Sequence, residues 1–227
     1  PACTPSSSAR STPSTWRSLH AAAAFYYEKL ASRSANLWHH LAAWREYFTA
    51  ELYVEAYESQ KVFLQEILRR GYVEIARHIL EETVRTSRGT ARVVSLGNLS
   101  ILHKNAGQYD KALKTYREAQ DEFLKLGDMP NLARVLHQIG NTYYVQGDYS
   151  SALSSYLQSL EISKEHPQPA VAVATRIQIG NVHYQCGELQ EALRNYLEAL
   201  ETTRATGNSS LTALTALQIG QVHLQEH

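Results

Sequence analysis

The quartet QIGN occurs at residues 138–141 and again at residues 178–181, and a near copy, QIGQ, occupies residues 218–221. Each copy begins 40 residues after the previous one. Self-similarity at a period of roughly 20 to 50 residues is typical of stacked supersecondary units, which bury a hydrophobic core only together with their neighbours. This interval therefore predicts a repeat architecture.

The similarity between the copies extends well beyond the quartet. Residues 133–164 align with residues 173–204 without a gap. The identical pairs are Gln138/Gln178, Ile139/Ile179, Gly140/Gly180, Asn141/Asn181, Tyr144/Tyr184, Gly147/Gly187, Ala152/Ala192, Leu153/Leu193, Tyr156/Tyr196, Leu157/Leu197, Leu160/Leu200 and Glu161/Glu201. An earlier copy keeps Gly107, Tyr109, Ala112, Leu113 and Tyr116 in the same frame, with Ser100 at the place of Gly140.

Each copy predicts a pair of helices. Leu136, Ile139 and Tyr143 recur at i, i+3 and i+7, which is the spacing of one apolar helical face. Gly147 is expected to end this first helix, because glycine adopts the left-handed C-terminal conformation at little cost, and Asp148 is expected to cap the next helix. The predicted apolar face of the second helix consists of Ala152, Leu153, Tyr156, Leu157 and Leu160.

A recurring glycine inside a helix requires compensation, because glycine is about 1 kcal/mol less favourable than alanine there. We expect Gly140 and Ala152, and likewise Gly180 and Ala192, to let the two helices of a hairpin approach closely. A leucine at position 140 would then force the helices apart.

The motifs GQYDKAL (107–113), GDYSSAL (147–153) and GELQEAL (187–193), each followed by a spaced tyrosine, resemble the tetratricopeptide repeat. The usual repeat has about 34 residues. The longer period is similar to the variety found in kinesin light chains, in the Leu-Gly-Asn polarity adaptors and in bacterial signalling proteins. Leu136 replaces the tryptophan that often opens the first helix, and the late proline is absent. The resemblance implies an all-α, right-handed superhelical solenoid of antiparallel helix pairs.

The segment before the repeats is helical but less regular. Helices are predicted over residues 16–31, 37–48, 52–70 (one long or two short helices) and 72–85, giving about ten or eleven helices in the chain. The order AAAAFYYEKLA, LWHHLAAWREYF, EAYESQ, FLQEILRRGYVEIARHIL resembles the stretch after the winged-helix domain in bacterial NB-ARC-type (STAND) signal-transduction NTPases, where the sensor repeats begin. The sequence contains no GxxxxGK[ST] phosphate-binding motif.

Three regions are predicted from these patterns. Residues 1–15 are rich in Ser, Thr and Pro and are expected to be a disordered linker or tail, although the lack of acidic residues before Glu28 leaves an organelle transit peptide as the alternative. Residues 16–88 are expected to be degenerate helical repeats that cap the solenoid. Residues 89–227 are expected to hold about three and a half repeats of a longer protein, because the final QVHLQEH stops inside a helical pattern.

Composition argues against several classes of function. The 22 Lys and Arg residues balance the 22 Asp and Glu residues, so no net field attracts nucleic acid or an anionic membrane. The sequence lacks an apolar run of about 18 residues that could span a bilayer. Cys3 and Cys186 are too few for a disulfide framework, and a reducing cytoplasm is the expected location.

Neither metal binding nor catalysis is predicted. His39 and His40 are adjacent and point to different sides of a helix, and His103, His183 and His223 occupy the packing position of Tyr143. The sequence contains no GxSxG or HExxH motif. We therefore expect no cofactor, no metal and no enzymatic activity.

The first helices of stacked hairpins line the concave face of such a solenoid, and they carry the predicted partner-binding groove. Counting by helical turns puts Arg134, His137, Asn141 and Tyr144 on one stripe. The corresponding residues in the other copies are Ile101, Lys104, Ile177, Asn181, Tyr184, Leu217 and Gln221.

Two roles are open for Asn141 and Asn181. In relatives with long repeats, asparagines at this place hydrogen-bond the backbone of a bound peptide, because a carboxamide offers both a donor and an acceptor. Alternatively, both side chains bond to a neighbouring repeat and hold the stacking angle. A dedicated receptor for C-terminal carboxylates is not expected, because only Lys104 and Arg134, with His137 in support, provide positive charge.

The sequence thus predicts a recognition surface for a protein or peptide. It is interpreted either as the ligand-sensing region of a larger signalling NTPase or as a stand-alone scaffold that assembles partner proteins. Self-association is a further prediction, because the last helix, over residues 211–226, lacks a hairpin partner. Its apolar residues Leu214, Leu217 and Leu224 would then be exposed.

Overall fold

The structure, a computed structural model, describes residues 13–34 and 36–225, and all eleven regular elements in this part of the chain are α-helices. They are α1 (Pro13–Ser34), α2 (Leu37–Thr49), α3 (Tyr53–Arg69), α4 (Val73–Thr86), α5 (Gly89–Asn105), α6 (Tyr109–Leu126), α7 (Met129–Gln146), α8 (Tyr149–Glu165), α9 (Pro169–Gln185), α10 (Leu189–Ala205) and α11 (Ser209–Gln225). The predicted all-α solenoid of helix pairs is confirmed.

The first helix begins earlier in the chain than the sequence predicts. Most of the linker predicted over residues 1–15 lies outside the described residues. Its last three residues form the first turn of α1, which therefore begins before Trp16. The region predicted as residues 52–70 is a single helix, α3.

The helices divide into two compact units, one that ends at Ser95 and one that begins at Leu96. In the amino-terminal unit, α1 to α4 pack each against the next. Their core includes the buried side chains of Trp44, Phe63 and Ile79. Inside it the Thr83 hydroxyl donates a hydrogen bond to Gln60 Oε1 at 2.6 Å, so the buried amide oxygen has a partner.

In the unit that begins at Leu96, hereafter the repeat unit, consecutive helices form hairpins. Gly147 ends α7 with φ of 80°, a conformation that glycine adopts without strain. Asp148 caps α8 by accepting a hydrogen bond from the Ser151 amide at 3.1 Å, as predicted. Because α7 also contacts α9, the first helices of adjacent hairpins are neighbours.

The core of the repeat unit is continuous between hairpins. One buried cluster joins Tyr156 of α8 to Ile179 and Val182 of α9. A second cluster joins Tyr196 of α10 to Ile177 of α9 and Val222 of α11. Each hairpin therefore completes its neighbour's core, as expected of stacked repeats.

The described helices allow two further observations. None of them combines the length and the apolar character needed to cross a bilayer. Over residues 13–34 and 36–225, no three His, Cys, Asp or Glu side chains are grouped as metal ligands would be.

Candidate functional site

The glycine and the asparagine of QIGN together receive a tyrosine from the second helix of the same hairpin. A Cβ atom built on Gly140 would lie 2.5 Å from Cδ1 and Cε1 of Tyr156, so the ring packs directly on the backbone of α7. The Tyr156 hydroxyl donates a hydrogen bond to Asn141 Oδ1 at 2.7 Å. We call this arrangement of a glycine and its following carboxamide the tyrosine seat.

The next hairpin contains a second tyrosine seat with the same geometry. A Cβ atom on Gly180 would lie 2.5 Å from Cε1 of Tyr196, whose hydroxyl donates to Asn181 Oδ1 at 2.7 Å. Burial raises the pKa of both Tyr156 and Tyr196, so both hydroxyls remain protonated donors. The recurrence of the same contact 40 residues later explains why the sequence repeats these two letters.

These contacts correct two expectations. The close approach at Gly140 is to the ring of Tyr156, whereas the sequence analysis paired this glycine with Ala152. The asparagine bond joins two helices of one hairpin, whereas the structural alternative placed it between neighbouring repeats. Both differences arise because the tyrosine ring reaches across the hairpin interface, one turn beyond the small residue on α8.

The first hairpin of the repeat unit has an incomplete seat. Ser100 and Ile101 stand where the later copies have glycine and asparagine. The corresponding tyrosine, Tyr116, is 1% exposed, and its hydroxyl has no hydrogen-bond partner. An unsatisfied buried hydroxyl is unfavourable by about 1–3 kcal/mol.

We expect the Ile101→Asn variant to be more stable than the wild type by about 1 kcal/mol, because the carboxamide supplies the missing acceptor for Tyr116. Chemical denaturation would measure the free energy of unfolding. The matched control is the same substitution in a Tyr116→Phe background, which has no hydroxyl to satisfy. An equal gain in both backgrounds would show that the new side chain acts elsewhere.

The solvent-accessible residues of α5, α7, α9 and α11 form the candidate surface for a partner. We call it the first-helix face and define it by exposed or partly exposed residues: Lys104, Arg134, Gln138, Asn141, Gln178, Asn181, Gln218 and Gln221. Hydrogen bonds connect these helices across the face. Lys104 Nζ donates to Gln138 Oε1 at 3.0 Å, and Arg134 Nε donates to Gln168 Oε1 at 3.2 Å.

The predicted groove residues fall into two groups. Arg134, Leu217 and Gln221 are exposed, and partial exposure leaves room for contact at Ile101, Lys104, His137, Asn141, Tyr144, Asn181 and Tyr184. Ile177 is only 4% exposed and belongs to the core between α9, α10 and α11, so its side chain offers little surface for contact with a partner.

His137 lies between two repeats. Its Nδ1 is 2.9 Å from the Thr175 hydroxyl of α9, and its ring centroid is 5.7 Å from that of Tyr156. Burial, with a smaller contribution from the Lys104 charge, lowers the pKa of His137 to about 4. The imidazole is therefore neutral at pH 7, and it adds no positive charge to the groove.

The depressed pKa of His137 predicts a pH-dependent stability. The unfolded chain binds a proton at this residue below its ordinary pKa of about 6.5, whereas the folded protein does so only near 4. This contribution is complete above pH 6.5 and is lost as the pH falls toward 4. Between pH 7 and pH 5 we expect the free energy of unfolding to fall by about 2 kcal/mol.

Denaturant titrations at pH 7, 6 and 5 would test this expectation. The His137→Gln variant keeps a group that can bond to Thr175 but does not titrate. Its stability should change by about 2 kcal/mol less than that of the wild type over this pH range. The same slope in both proteins would contradict a buried, neutral His137.

Sequence reasoning missed the glutamine of the repeated quartet. Gln138, Gln178 and Gln218 occupy the same position of α7, α9 and α11, and all three are partly exposed. Gln138 Oε1 lies 3.4 Å from Asn141 Nδ2, and Gln178 Oε1 accepts from Asn181 Nδ2 at 3.1 Å. The recurrence of Gln at this position of each copy was the signal that could have identified it. The predicted stripe passed from Arg134 to His137 in a step of three residues, so Gln138 lay outside it.

A cleft of about 500 Å³ opens at one end of the first-helix face. It is lined by Tyr184, Gln221, Leu224 and Gln225, which come from α9 and α11. The face therefore combines a cationic end near Lys104 and Arg134 with an end where one aromatic and one aliphatic side chain lie beside two carboxamides. An extended peptide requires both kinds of contact, namely pockets for side chains and polar groups for its backbone.

Family comparison identifies the repeats. Residues 90–165 and residues 173–206 match two family models, each described as tetratricopeptide repeat. No curated protein sequence matches the chain.

Three solved structures are similar in fold. BtubC (BKLC) from P. vanneervenii has a TM-score of 0.61 and 19% identity, with 88% of this chain and 93% of that chain covered. The STAND ATPase with a tetratricopeptide repeat sensor from Pyrococcus horikoshii has a TM-score of 0.68 and 17% identity, with 95% of this chain covered. Aspartyl phosphate phosphatase F from Bacillus subtilis has a TM-score of 0.68 and 12% identity, with 91% covered. This chain spans 32% of the STAND ATPase and 55% of the phosphatase.

Proposed function

We propose, from the premise that this chain is a tetratricopeptide-repeat protein, that its first-helix face binds an extended segment of a partner protein. The proposal rests on one observation, which is that glutamine side chains recur at the same helical position across that face. Gln138, Gln178 and Gln218 lie at equivalent positions of three first helices, and all three residues are partly exposed. A ladder of this kind can pair with an extended main chain whatever the partner's side chains are.

Selection of peptides from a random displayed library would test the proposal. The wild-type chain serves as bait, and each enriched peptide is then measured against the Gln138→Ala/Gln178→Ala variant. We expect its affinity to fall at least about tenfold on this variant, because two backbone hydrogen bonds are lost. The melting temperature of the variant must be compared with that of the wild type first, because Gln138 also accepts the hydrogen bond of the partly buried Lys104.

The matched control replaces two glutamines of the second helices, Gln158 and Gln190, with alanine; both are exposed. Peptides that bind the first-helix face should bind this control as tightly as the wild type. Peptides that bind both double variants equally would place recognition elsewhere on the molecule and contradict the proposal.

We further propose that these repeats are the ligand-sensing regulatory region of a larger cytoplasmic signal-transduction NTPase. Support comes from the fold similarity to the STAND ATPase with a tetratricopeptide repeat sensor. In this hypothesis, a segment bound on the first-helix face relieves or imposes a contact with the nucleotide-binding part. A selected peptide should then change the rate of nucleotide hydrolysis by the full-length protein.

A stand-alone scaffold that assembles partner proteins is the second candidate. It is supported by the similarity to BtubC, of which this chain covers 93%. The two candidates differ in the coding sequence upstream of residue 1. A phosphate-binding motif there, together with peptide-dependent hydrolysis, supports the sensor, whereas a gene without such a motif supports the scaffold.

Self-association through α11 is also proposed, with a second copy of this chain as the partner. Leu214, Leu217 and Leu224 are 45%, 59% and 82% exposed, and they form an apolar face on this helix. Sedimentation velocity should show a concentration-dependent dimer. We expect Leu217→Asp/Leu224→Asp to give a monomer, and a wild-type monomer at all concentrations would contradict the proposal.

A further inference from the structure

Acidic residues are segregated within the repeat region. Helices α5, α7, α9 and α11 contain no Asp or Glu at all. The second helices carry several each, for example Asp121 in α6, Glu161 in α8 and Glu201 in α10. A chain whose charges balance overall therefore presents a first-helix face that has no carboxylate of its own.

The acidic residues at the turns beside these helices are already occupied. Asp128 accepts hydrogen bonds from the backbone and side-chain nitrogens of Asn131. Asp148 accepts from the Ser151 amide, and Glu188 lies 2.5 Å from His183 Nδ1. These carboxylates therefore satisfy groups at the helix ends.

The two cations of the first-helix face bond to neutral groups. Lys104 and Arg134 donate to the carboxamide oxygens of Gln138 and Gln168. Burial lowers the pKa of Lys104, which shows that its ammonium group is partly removed from water. A carboxylate would replace a neutral acceptor with a charged one, and charge-assisted hydrogen bonds are roughly twice as strong.

The carboxamide oxygens of the first-helix face already accept hydrogen bonds, so the carboxamides can mainly donate to a partner. Gln138 Oε1 already accepts from Lys104 and lies within reach of Asn141 Nδ2, and Gln178 Oε1 accepts from Asn181. The oxygens of both asparagines accept from tyrosines. What these glutamines still offer to a partner are N–H groups, which require acceptors.

The opposite end of the face has a different character. The cleft there is lined by the aromatic ring of Tyr184, the aliphatic side chain of Leu224 and the carboxamides of Gln221 and Gln225. Lys104 and Arg134 lie on α5 and α7, and the cleft is lined by residues of α9 and α11, so a segment that reaches both ends crosses the first-helix face.

We infer that the partner is an extended protein segment with two unlike ends. Asp or Glu side chains lie against Lys104 and Arg134, and an aliphatic or aromatic side chain fills the cleft at Tyr184 and Leu224. The acidic groups are side chains within a segment, so no chain terminus is required. This inference rests on the proposed function, because it assigns the chemistry of the segment that the first-helix face binds.

The displayed-library selection described above tests the inference through the composition of the peptides. Among peptides that lose affinity on Gln138→Ala/Gln178→Ala, we expect Asp and Glu to be at least about threefold more frequent than in the unselected library. We expect the acids at one end and an aliphatic or aromatic residue at the other.

Removal of the two positive charges from the first-helix face provides the second measurement. A synthetic copy of the most enriched peptide should bind Lys104→Gln/Arg134→Gln at least about 30-fold more weakly, because two charge-assisted hydrogen bonds are lost. The control Lys164→Gln/Arg194→Gln removes two exposed cations of α8 and α10, and it should change affinity less than about threefold. Arg134→Gln alone provides the test if the Lys104 change lowers the melting temperature.

The outcomes separate the two proposals. Peptides that require Gln138 and Gln178 but are neutral or basic overturn this inference and leave the proposed function standing. The inference is also wrong if acidic peptides bind the Lys104→Gln/Arg134→Gln variant as tightly as the wild type. If no peptide depends on the two glutamines, the proposed function fails and the inference fails with it.

Discussion

Replacing Gly140 with alanine is expected to destabilise the protein by about 2 kcal/mol, although alanine is the better helix former by about 1 kcal/mol. The added methyl group would lie 2.5 Å from the ring of Tyr156, well inside normal contact distance. The ring must move, which strains the packing of α7 against α8. It also lengthens the hydrogen bond to Asn141. Leucine at this position should cost about 4 kcal/mol, since a larger side chain displaces the ring further.

The three glycines at this repeat position provide an internal control. Gly180 contacts Tyr196 as closely as Gly140 contacts Tyr156, so Gly180→Ala should lose a similar amount of stability. Within residues 13–34 and 36–225, nothing lies within 4 Å of a Cβ atom built on Gly220. Gly220→Ala should therefore stabilise the protein by up to about 1 kcal/mol.

Free energies of unfolding from urea titrations would distinguish these cases. A loss at positions 140 and 180 together with a gain at position 220 supports the tyrosine seat. A gain at all three positions would mean that helix propensity alone governs them, and the close contact between glycine and ring would be refuted.

Most of the fold was predictable because each hairpin repeats its local signals. The i, i+3, i+7 spacing around Ile139, the glycine at position 147 and the cap at Asp148 are decided by residues close together in the chain. The partner of Gly140 could not be predicted in this way. Ala152 and Tyr156 lie on the same apolar face of α8, and only the rotation of that helix against α7 decides which one reaches the glycine.

The candidate site was predicted less completely. Arg134 and Asn141 lie on the first-helix face, but a stripe taken in i+3 steps also passes through His137, which bonds to Thr175 of α9. The residue one position further, Gln138, instead accepts a hydrogen bond from Lys104 of α5. Because a helical turn has 3.6 residues, the residues three and four positions after Arg134 are both near neighbours on the helix surface. Only the position of the neighbouring helix decides which of the two belongs to the face.

Another signal was present in the sequence and was not used. The absence of Asp and Glu from the first helices can be read from residues 129–146 and 169–185 without any structure. It becomes informative only once these helices are known to share a face. Net charge conceals it, because the 22 Asp and Glu residues in the rest of the chain balance the 22 Lys and Arg residues.

The four letters of QIGN therefore have four separate roles in one turn of helix. Ile139 is buried in the core, Gly140 makes room for the tyrosine ring, and Asn141 accepts the tyrosine hydroxyl. Gln138 is the member of the quartet that remains on the surface. Stability and recognition are thus assigned to adjacent residues, and substitutions can separate them.

The Asn141→Ala/Asn181→Ala double variant is expected to lose about 3 kcal/mol of stability. Each substitution removes the acceptor of a buried tyrosine hydroxyl, which is unfavourable by about 1–3 kcal/mol. The higher helix propensity of alanine offsets a few tenths of a kcal/mol of this loss. The two sites belong to different hairpins, so their effects should add. The Gln138→Ala/Gln178→Ala variant is the control, because it alters the same helix turns and leaves both tyrosine bonds in place.

Adding Tyr156→Phe and Tyr196→Phe to the asparagine variant decides the physical cause. Phenylalanine has no hydroxyl to satisfy, so the quadruple variant should be more stable than the asparagine double variant by about 2 kcal/mol. The tyrosine substitutions alone should destabilise the protein, because they leave two asparagines without their donors. If phenylalanine instead destabilises both backgrounds equally, the asparagines act independently of the tyrosines. Their repetition would then have to be explained by contact with a bound partner.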